Sequence, residues 1–180
     1  HPCQILADLQ TIQEHKGSLK GRKFAYVGDA NNNMANSYLI GMALAGMHVA
    51  VAGPSQYLPN AAIVARAQEI AAEQGGSVLV TTDPIAAVSQ ADAIATDTWI
   101  SMGQESEKEQ RVKDFAGFGV DAALMAHAKS DAIFLHCLPA YRGYEVSAEV
   151  IDGPQSVIWD EAENRRHAQK ALLVWLAAQK

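Results

Sequence analysis

The stretch KFAYVGDANNN, residues 23–33, decides the predicted fold, because a short apolar run ends there in a glycine and a polar turn. An apolar stripe at helical spacing follows directly, formed by Met34, Tyr38, Gly41, Met42 and Ala45. A buried strand that turns into an amphipathic helix is the repeating unit of sheets that are mostly parallel. This first unit therefore predicts an α/β fold.

The same alternation of apolar runs and helical patterns continues along the chain. Six strands are predicted, at residues 23–27, 48–52, 77–81, 93–96, 132–135 and 156–159. Helical segments are predicted at residues 1–16, 60–73, 84–90, 120–128, 145–151 and 163–180, in addition to the stripe after the first strand. We expect one domain over residues 1–180, a doubly wound, Rossmann-like sheet of five to six mostly parallel strands in three α/β/α layers. Met34, Met42 and Trp175 are predicted to lie in the core.

Composition excludes several classes of protein. The 180 residues are 49% hydrophobic, which is enough for a core, and they carry a net charge of −6. This charge disfavours a nucleic-acid partner or an anionic membrane. No apolar run approaches the ~20 residues that span a bilayer, and no secretion signal is recognisable. We expect a cytoplasmic protein in which the two cysteines, Cys3 and Cys137, are reduced.

Polar clusters follow three of the predicted strands. Residues 28–33 follow the first strand, DTWISMG at 97–103 follows the fourth and HCLP at 136–139 follows the fifth, whereas ordinary turns follow the second and third. Ligands of open parallel sheets bind beyond the carboxyl ends of the strands, where the strand order reverses. With the strand order 3-2-1-4-5, the three clusters would converge on one crevice.

Each of these residues also has a purely structural interpretation. The asparagines of residues 31–33 can cap a helix, Asp97 can belong to a turn, and His136 and Cys137 can be buried core residues. A dinucleotide site is disfavoured, because residues 28–33 lack the second and third glycines of that motif and no acidic residue ends the second strand. The predicted crevice offers a carboxylate that can bind an ammonium group, and amides and free N–H groups that can bind a carboxylate. This combination favours an amino acid as the ligand.

Four motifs together resemble the ornithine carbamoyltransferases. They are HPCQ at 1–4, DTWISMG at 97–103, HCLP at 136–139 and ENR at 163–165, in the family's order and spacing. The likeness covers the whole chain and matches the carboxyl-terminal, ornithine-binding half of the family's subunit. It implies transfer of the carbamoyl group of carbamoyl phosphate to the δ-amine of L-ornithine, giving L-citrulline and phosphate in arginine biosynthesis. It implies no metal, no organic cofactor and a homotrimeric parent enzyme.

The resemblance also implies roles for individual residues. The implied ornithine-binding residues are Asn32, Asn33, Asp97, Ser101 and Met102, of which Asp97 and Ser101 hold the α-ammonium and the Met102 backbone holds the α-carboxylate. The implied carbamoyl-phosphate residues are His1, Gln4, Cys137, Leu138 and Arg165, and His1, Gln4, Cys137 and Arg165 are the implied catalytic residues. Arg166 is predicted to be a surface residue.

Two features bear on whether the chain acts alone. The family's Ser-x-Arg-Thr phosphate loop is absent from the sequence, so we expect an enzyme fragment without its amino-terminal carbamoyl-phosphate-binding domain, inactive alone. The charged stretch at residues 104–114 is a lid in the family, and a static solvated loop is the alternative. Two other functions stay open: a carbamoyltransferase for another amine such as putrescine, and an amino-acid-binding domain without catalysis.

Overall fold

The computed structural model describes residues 1–101 and 103–179 and confirms the α/β prediction. Five parallel strands form one sheet in the order β3-β2-β1-β4-β5, so the strand order reverses between β1 and β4 as predicted. The strands are β1 Lys23–Val27, β2 His48–Ala52, β3 Ser77–Thr81, β4 Ala93–Thr96 and β5 Ile133–His136. The carboxyl ends of β1, β4 and β5 therefore lie side by side.

Helices cover both faces of this sheet. Their bounds are α1 Pro2–Lys16, α2 Asn33–Leu44, α3 Ala61–Gln74, α4 Pro84–Val88, α5 Lys108–Asp114, α6 Ala122–Met125, α7 Ala148–Ile151 and α8 Ile158–Ala177. Phe24 and Tyr26 pack on one face with α1, α2 and α3, whereas Ala25 and Val27 pack on the other with α4, α6 and α7. No helix in the described part of the chain is long and apolar enough to span a bilayer.

The predicted sixth strand, residues 156–159, is wrong. Ser156 makes a single parallel bridge to Phe134, and α8 begins two residues later at Ile158. The β-branched residues Val157 and Ile158 suit a strand, but the acidic residues that follow them suit the first turn of a helix. The last helix consequently begins at residue 158 instead of 163.

Three predicted helices are at least two residues shorter than their patterns: α4 ends at Val88 instead of residue 90, and α6 and α7 begin late. Val120 and Val146 form an isolated parallel bridge, in which Val120 N donates to Glu145 O at 2.8 Å and Ser147 N donates to Val120 O at 3.0 Å. This pairing holds both segments extended, so α6 and α7 begin only after it. The fifth strand is shifted by one residue, which places His136 inside β5.

The core predictions are right for the methionines and wrong for the tryptophan. Met34 and Met42 are fully buried on α2, whereas Trp175 is 58% exposed on α8. Trp175 lies in an exposed apolar run on the last turns of α8, together with Leu173, Val174 and Leu176. In the described structure this end of α8 is exposed to solvent.

Candidate functional site

A close contact between two strand ends positions the candidate site. Gly28 directly follows β1 with φ +140°, and a Cβ added there would lie 3.2 Å from Oγ1 of Thr96 at the end of β4. The Thr96 hydroxyl donates to Val27 O at 2.6 Å. A side chain at residue 28 would push these strand ends apart, so glycine permits the turns after β1 and β4 to meet.

Asp97 is the carboxylate on which the three strand ends converge. Its Oδ2 accepts a hydrogen bond from Asn32 Nδ2, after β1, at 3.1 Å, and its Oδ1 accepts from the Cys137 thiol, after β5, at 3.3 Å. The Thr98 backbone N–H donates to Oδ1 at 2.8 Å. Asp97 is only 7% exposed. All of its donors are neutral, and among the described residues it forms no salt bridge.

Asn32 combines a structural role with a place in the site. Its side-chain oxygen accepts from Ala35 N at 2.8 Å and caps α2, while its nitrogen donates to Tyr26 Oη and to Asp97, each at 3.1 Å. Both of its side-chain hydrogens are therefore used within the protein. Asn33 is exposed at the start of α2, and no side-chain hydrogen bond is found for it within residues 1–101 and 103–179. Asn33 is thus the one of the pair that is free to meet a ligand.

Cys137 contributes a neutral thiol. Burial, and then the negative charge of Asp97, raise the pKa of the Cys137 thiol far above its usual value. The thiol therefore stays protonated and acts as a hydrogen-bond donor. Ligand atoms of Asp97, His136 and Cys137 lie within 4.8 Å of one another. The Nδ1 lone pair of His136 is already used to accept from Leu138 N, so we assign no metal to these residues.

The turn after β5 is held by His136, which is 1% exposed. Its Nδ1 accepts from Leu138 N at 2.9 Å, and its Nε2 lies 3.4 Å from Glu145 Oε1. Leu138 has φ +56°, a conformation that is uncommon for a residue with a side chain. His136 is thus a buried residue that shapes the backbone around Cys137 and Leu138.

Gln4 and Arg165 form a second group, between α1 and α8. The Arg165 Nη1 donates to Gln4 Oε1 at 2.7 Å, and Arg165 Nε is buried with no hydrogen-bond partner among the described residues. An amide oxygen has two lone pairs, so Gln4 Oε1 can still accept one hydrogen bond. With the other N–H groups of the half-buried Arg165 guanidinium, this group combines an acceptor with donors, which complement the NH₂ and the C=O of a carbamoyl group.

The remaining predicted residues are less fully placed. His1 is exposed ahead of α1, and its backbone nitrogen contacts Ser37 Oγ on α2 at 2.6 Å. Ser101 is half-buried, and its backbone N–H donates to Gln104 Oε1 at 3.0 Å. Met102 lies outside the described residues. Arg166 is exposed and lies 3.3 Å from Glu163, as expected of a surface residue.

The charged stretch at residues 104–114 is anchored at its carboxyl end. Arg111 is 3% exposed, forms an ion pair with the buried Asp29 after β1 and donates to Trp99 O. Asp114 accepts from Tyr57 Oη at 2.9 Å. These contacts favour the static alternative for α5. Sequence analysis missed Arg111 and Asp29, since in a charge-rich segment nothing distinguishes the one arginine that is buried.

Comparison with known proteins agrees with this geometry. The family described as "Aspartate/ornithine carbamoyltransferase, Asp/Orn binding domain" matches residues 20–176. The ornithine carbamoyltransferase of Renibacterium salmoninarum is 64% identical over 176 residues, which are 98% of this chain and 57% of that protein. That of Bifidobacterium longum subsp. infantis is 66% identical over 179 residues, covering 98% of this chain and 56% of that protein.

A solved structure gives the same result. The ornithine carbamoyltransferase from Pyrococcus furiosus superimposes with a TM-score of 0.91 at 54% identity, over 96% of this chain and 55% of that one. The chain therefore spans somewhat more than half the length of the relatives it matches. On the fold, the site and these similarities, the chain belongs to the aspartate/ornithine carbamoyltransferase family.

Proposed function

We propose that this chain is the ornithine-binding part of an ornithine carbamoyltransferase, which converts carbamoyl phosphate and L-ornithine into L-citrulline and phosphate. The observation that carries the proposal is Asp97, a buried carboxylate with neutral donors and no salt bridge among the described residues. A buried charge of this kind is costly unless an opposite charge meets it. The α-ammonium group of ornithine supplies that charge.

The neighbouring groups suit the other parts of the reaction. The exposed Asn33, and the residues of the Ser-Met-Gly motif that follow Asp97 in the sequence, supply amide and N–H groups for the α-carboxylate. Gln4 Oε1 accepts a hydrogen bond from the carbamoyl NH₂, and the half-buried Arg165 guanidinium donates to the carbamoyl oxygen, which gains negative charge as the δ-amine attacks. The Cys137 thiol and the Leu138 carbonyl orient the δ-amine after it loses its proton in this proposal, as the resemblance implies.

Catalysis requires a phosphate site that this sequence does not contain. The relatives are longer, at 56–57% coverage, and the sequence has no Ser-x-Arg-Thr loop. We therefore propose that an amino-terminal carbamoyl-phosphate-binding domain completes the active site, with α1 at the junction. A homotrimer and a role in arginine biosynthesis stay predictions from the resemblance, and a cytoplasmic location stays a prediction from the sequence composition.

The test is citrulline formation by the full-length protein that carries this chain, beside the 180 residues alone. We expect citrulline from the former only. Citrulline from the 180 residues alone would overturn the requirement for a second domain, and none from either would overturn the proposed activity. A higher rate with putrescine than with ornithine would establish the alternative substrate.

A further inference from the structure

A buried pair of carboxyl groups lies beside the carbamoyl group's proposed site. Asp8 on α1 and Glu161 on α8 are both 0% exposed, and Gln4, at 2% exposed, lies between them. Carboxyl groups are almost never fully buried without partners that compensate their charge. The role of this pair is not explained by helix packing alone.

The contacts of Gln4 define what the pair does. Gln4 Nε2 donates to Asp8 Oδ1 at 2.7 Å and to Glu161 Oε1 at 3.1 Å, which uses both hydrogens of the amide. The amide oxygen is thereby turned toward Arg165 and can only accept hydrogen bonds. If the amide rotated by 180°, its NH₂ would face the guanidinium donor of Arg165 and its oxygen would face the carboxyl groups.

Glu161 also reaches the turn that carries the thiol. Its Oε2 accepts from the His136 backbone N–H at 2.8 Å, so each of its oxygens accepts a hydrogen bond from nitrogen. Asp8 differs, because its Oδ2 accepts no hydrogen bond of ordinary geometry from the described residues. A single proton held by the pair satisfies Asp8 Oδ2 and leaves one negative charge, which the Arg165 guanidinium balances.

We propose, on the basis of the function proposed above, that Asp8 and Glu161 share one proton and are positioning residues. They aim the Gln4 oxygen and the Arg165 guanidinium at the carbamoyl group. Neither side chain touches a substrate in this account. The pair acts through Gln4 and Arg165, and through the backbone at His136.

The electrostatics of the pair are consistent with one shared proton. Burial raises the pKa of Asp8 to about 6, and burial together with the charge of Asp8 raises the pKa of Glu161 well above its ordinary value. Tyr38 on α2 and Arg165 on α8 face the pair and lower the pKa of Asp8, and the Cys137 thiol after β5 faces Glu161. The pair therefore takes up its second proton near pH 6.

The second proton has a structural consequence. With both carboxyls protonated, the net negative charge that holds the Arg165 guanidinium and the Gln4 amide nitrogen is lost. We expect the KM for carbamoyl phosphate to rise below about pH 6. The KM for ornithine should depend on pH in a different way, because Asp97 and not the carboxyl pair binds ornithine.

Two substitutions in the full-length enzyme separate positioning from mere stability. Glu161→Gln places an NH₂ against either the Gln4 amide or the His136 N–H, so we expect the KM for carbamoyl phosphate to rise about 10-fold. The KM for ornithine should change less than about 2-fold, because the contacts of Asp97 are untouched. The matched control is Glu163→Gln, at an exposed residue two positions further along the same helix, which should leave both values unchanged.

The second substitution, Asp8→Asn, tests the proton itself. It keeps an acceptor for Gln4 and leaves Glu161 as the only carboxyl group of the pair, and burial raises the pKa of Glu161 well above its ordinary value. The remaining charge is then lost when Glu161 itself takes up a proton, so the acidic limb of the rate profile should shift to higher pH. An acidic limb that coincides with the wild type overturns the proposal, even if Glu161→Gln does not fold. Equal KM values for carbamoyl phosphate in Glu161→Gln and Glu163→Gln also overturn it. If the wild-type enzyme forms no citrulline, the proposed function is refuted instead.

Discussion

Replacing Asp97 with asparagine tests whether Asp97 binds the α-ammonium group of ornithine. The substitution keeps the size of the side chain but removes the negative charge that we propose to meet the α-ammonium group. Loss of one partner of a buried, hydrogen-bonded charge pair costs about 2–5 kcal/mol. Since 1.4 kcal/mol corresponds to a factor of ten, the KM for ornithine should rise at least about 30-fold.

Most of the hydrogen bonds around Asp97 can also form with asparagine, so we use the lower end of the range of about 2–5 kcal/mol. Asparagine keeps one acceptor for Thr98 N and the Cys137 thiol but presents an NH₂ to the Asn32 amide, which retains Tyr26 as a second partner. The fold should therefore survive the substitution, and the melting temperature should stay close to that of the wild type.

The assay is citrulline formation by the full-length enzyme at saturating carbamoyl phosphate and variable ornithine, with thermal melts of each variant. Asp121→Asn is the matched control, because Asp121 caps α6 through Leu124 N and asparagine caps a helix equally well. A folded Asp97→Asn enzyme whose KM for ornithine lies within about 3-fold of the control would refute the assignment of Asp97.

Three further pairs of substitutions separate ligand binding from structural roles. Asn33→Ala should weaken ornithine binding without lowering the melting temperature. Asn32→Ala should also lose about 1 kcal/mol of stability, because Asn32 caps α2. Equal melting curves for the two variants would contradict this difference. Cys137→Ser keeps a neutral hydroxyl donor and should retain more activity than Cys137→Ala. The wild-type Cys137 thiol should react slowly with iodoacetamide at pH 7, because it is protonated. Fast alkylation of Cys137 would show that it is a thiolate instead. Arg111→Ala should cost about 3–5 kcal/mol in urea unfolding, against no measurable change for the exposed Arg66→Ala.

The fold and the convergence of the site were predictable from local sequence because each apolar run ends in a recognisable turn. The polar residues after β1, β4 and β5 had to meet once the strand order was fixed, and Asp97, Asn32 and Cys137 do so. Helical periodicity, in contrast, shows that Trp175 lies on an apolar face but not what covers that face. The prediction of a sixth strand was wrong for a related reason. Val157 and Ile158 suit a strand, but they can also stand at the start of a helix.

The buried carboxyl pair could not be predicted from local sequence. An aspartate within an amphipathic helix, such as Asp8, normally indicates a solvent-exposed position. Its burial depends on Gln4 meeting Glu161, which is 157 residues away in the sequence. Such a contact follows from the packing of α1 against α8 and leaves no periodic signal.

The most direct test of the account compares L-ornithine with 5-aminovalerate, which keeps the carboxylate and the δ-amine but lacks the α-ammonium group. The ratio of kcat/KM for the two amines is measured in the wild-type enzyme and in Asp97→Asn. We predict a preference for ornithine of at least about 30-fold in the wild type that falls to about 3-fold or less in the variant. The same preference in both enzymes would show that Asp97 does not bind the α-ammonium group and would contradict the account.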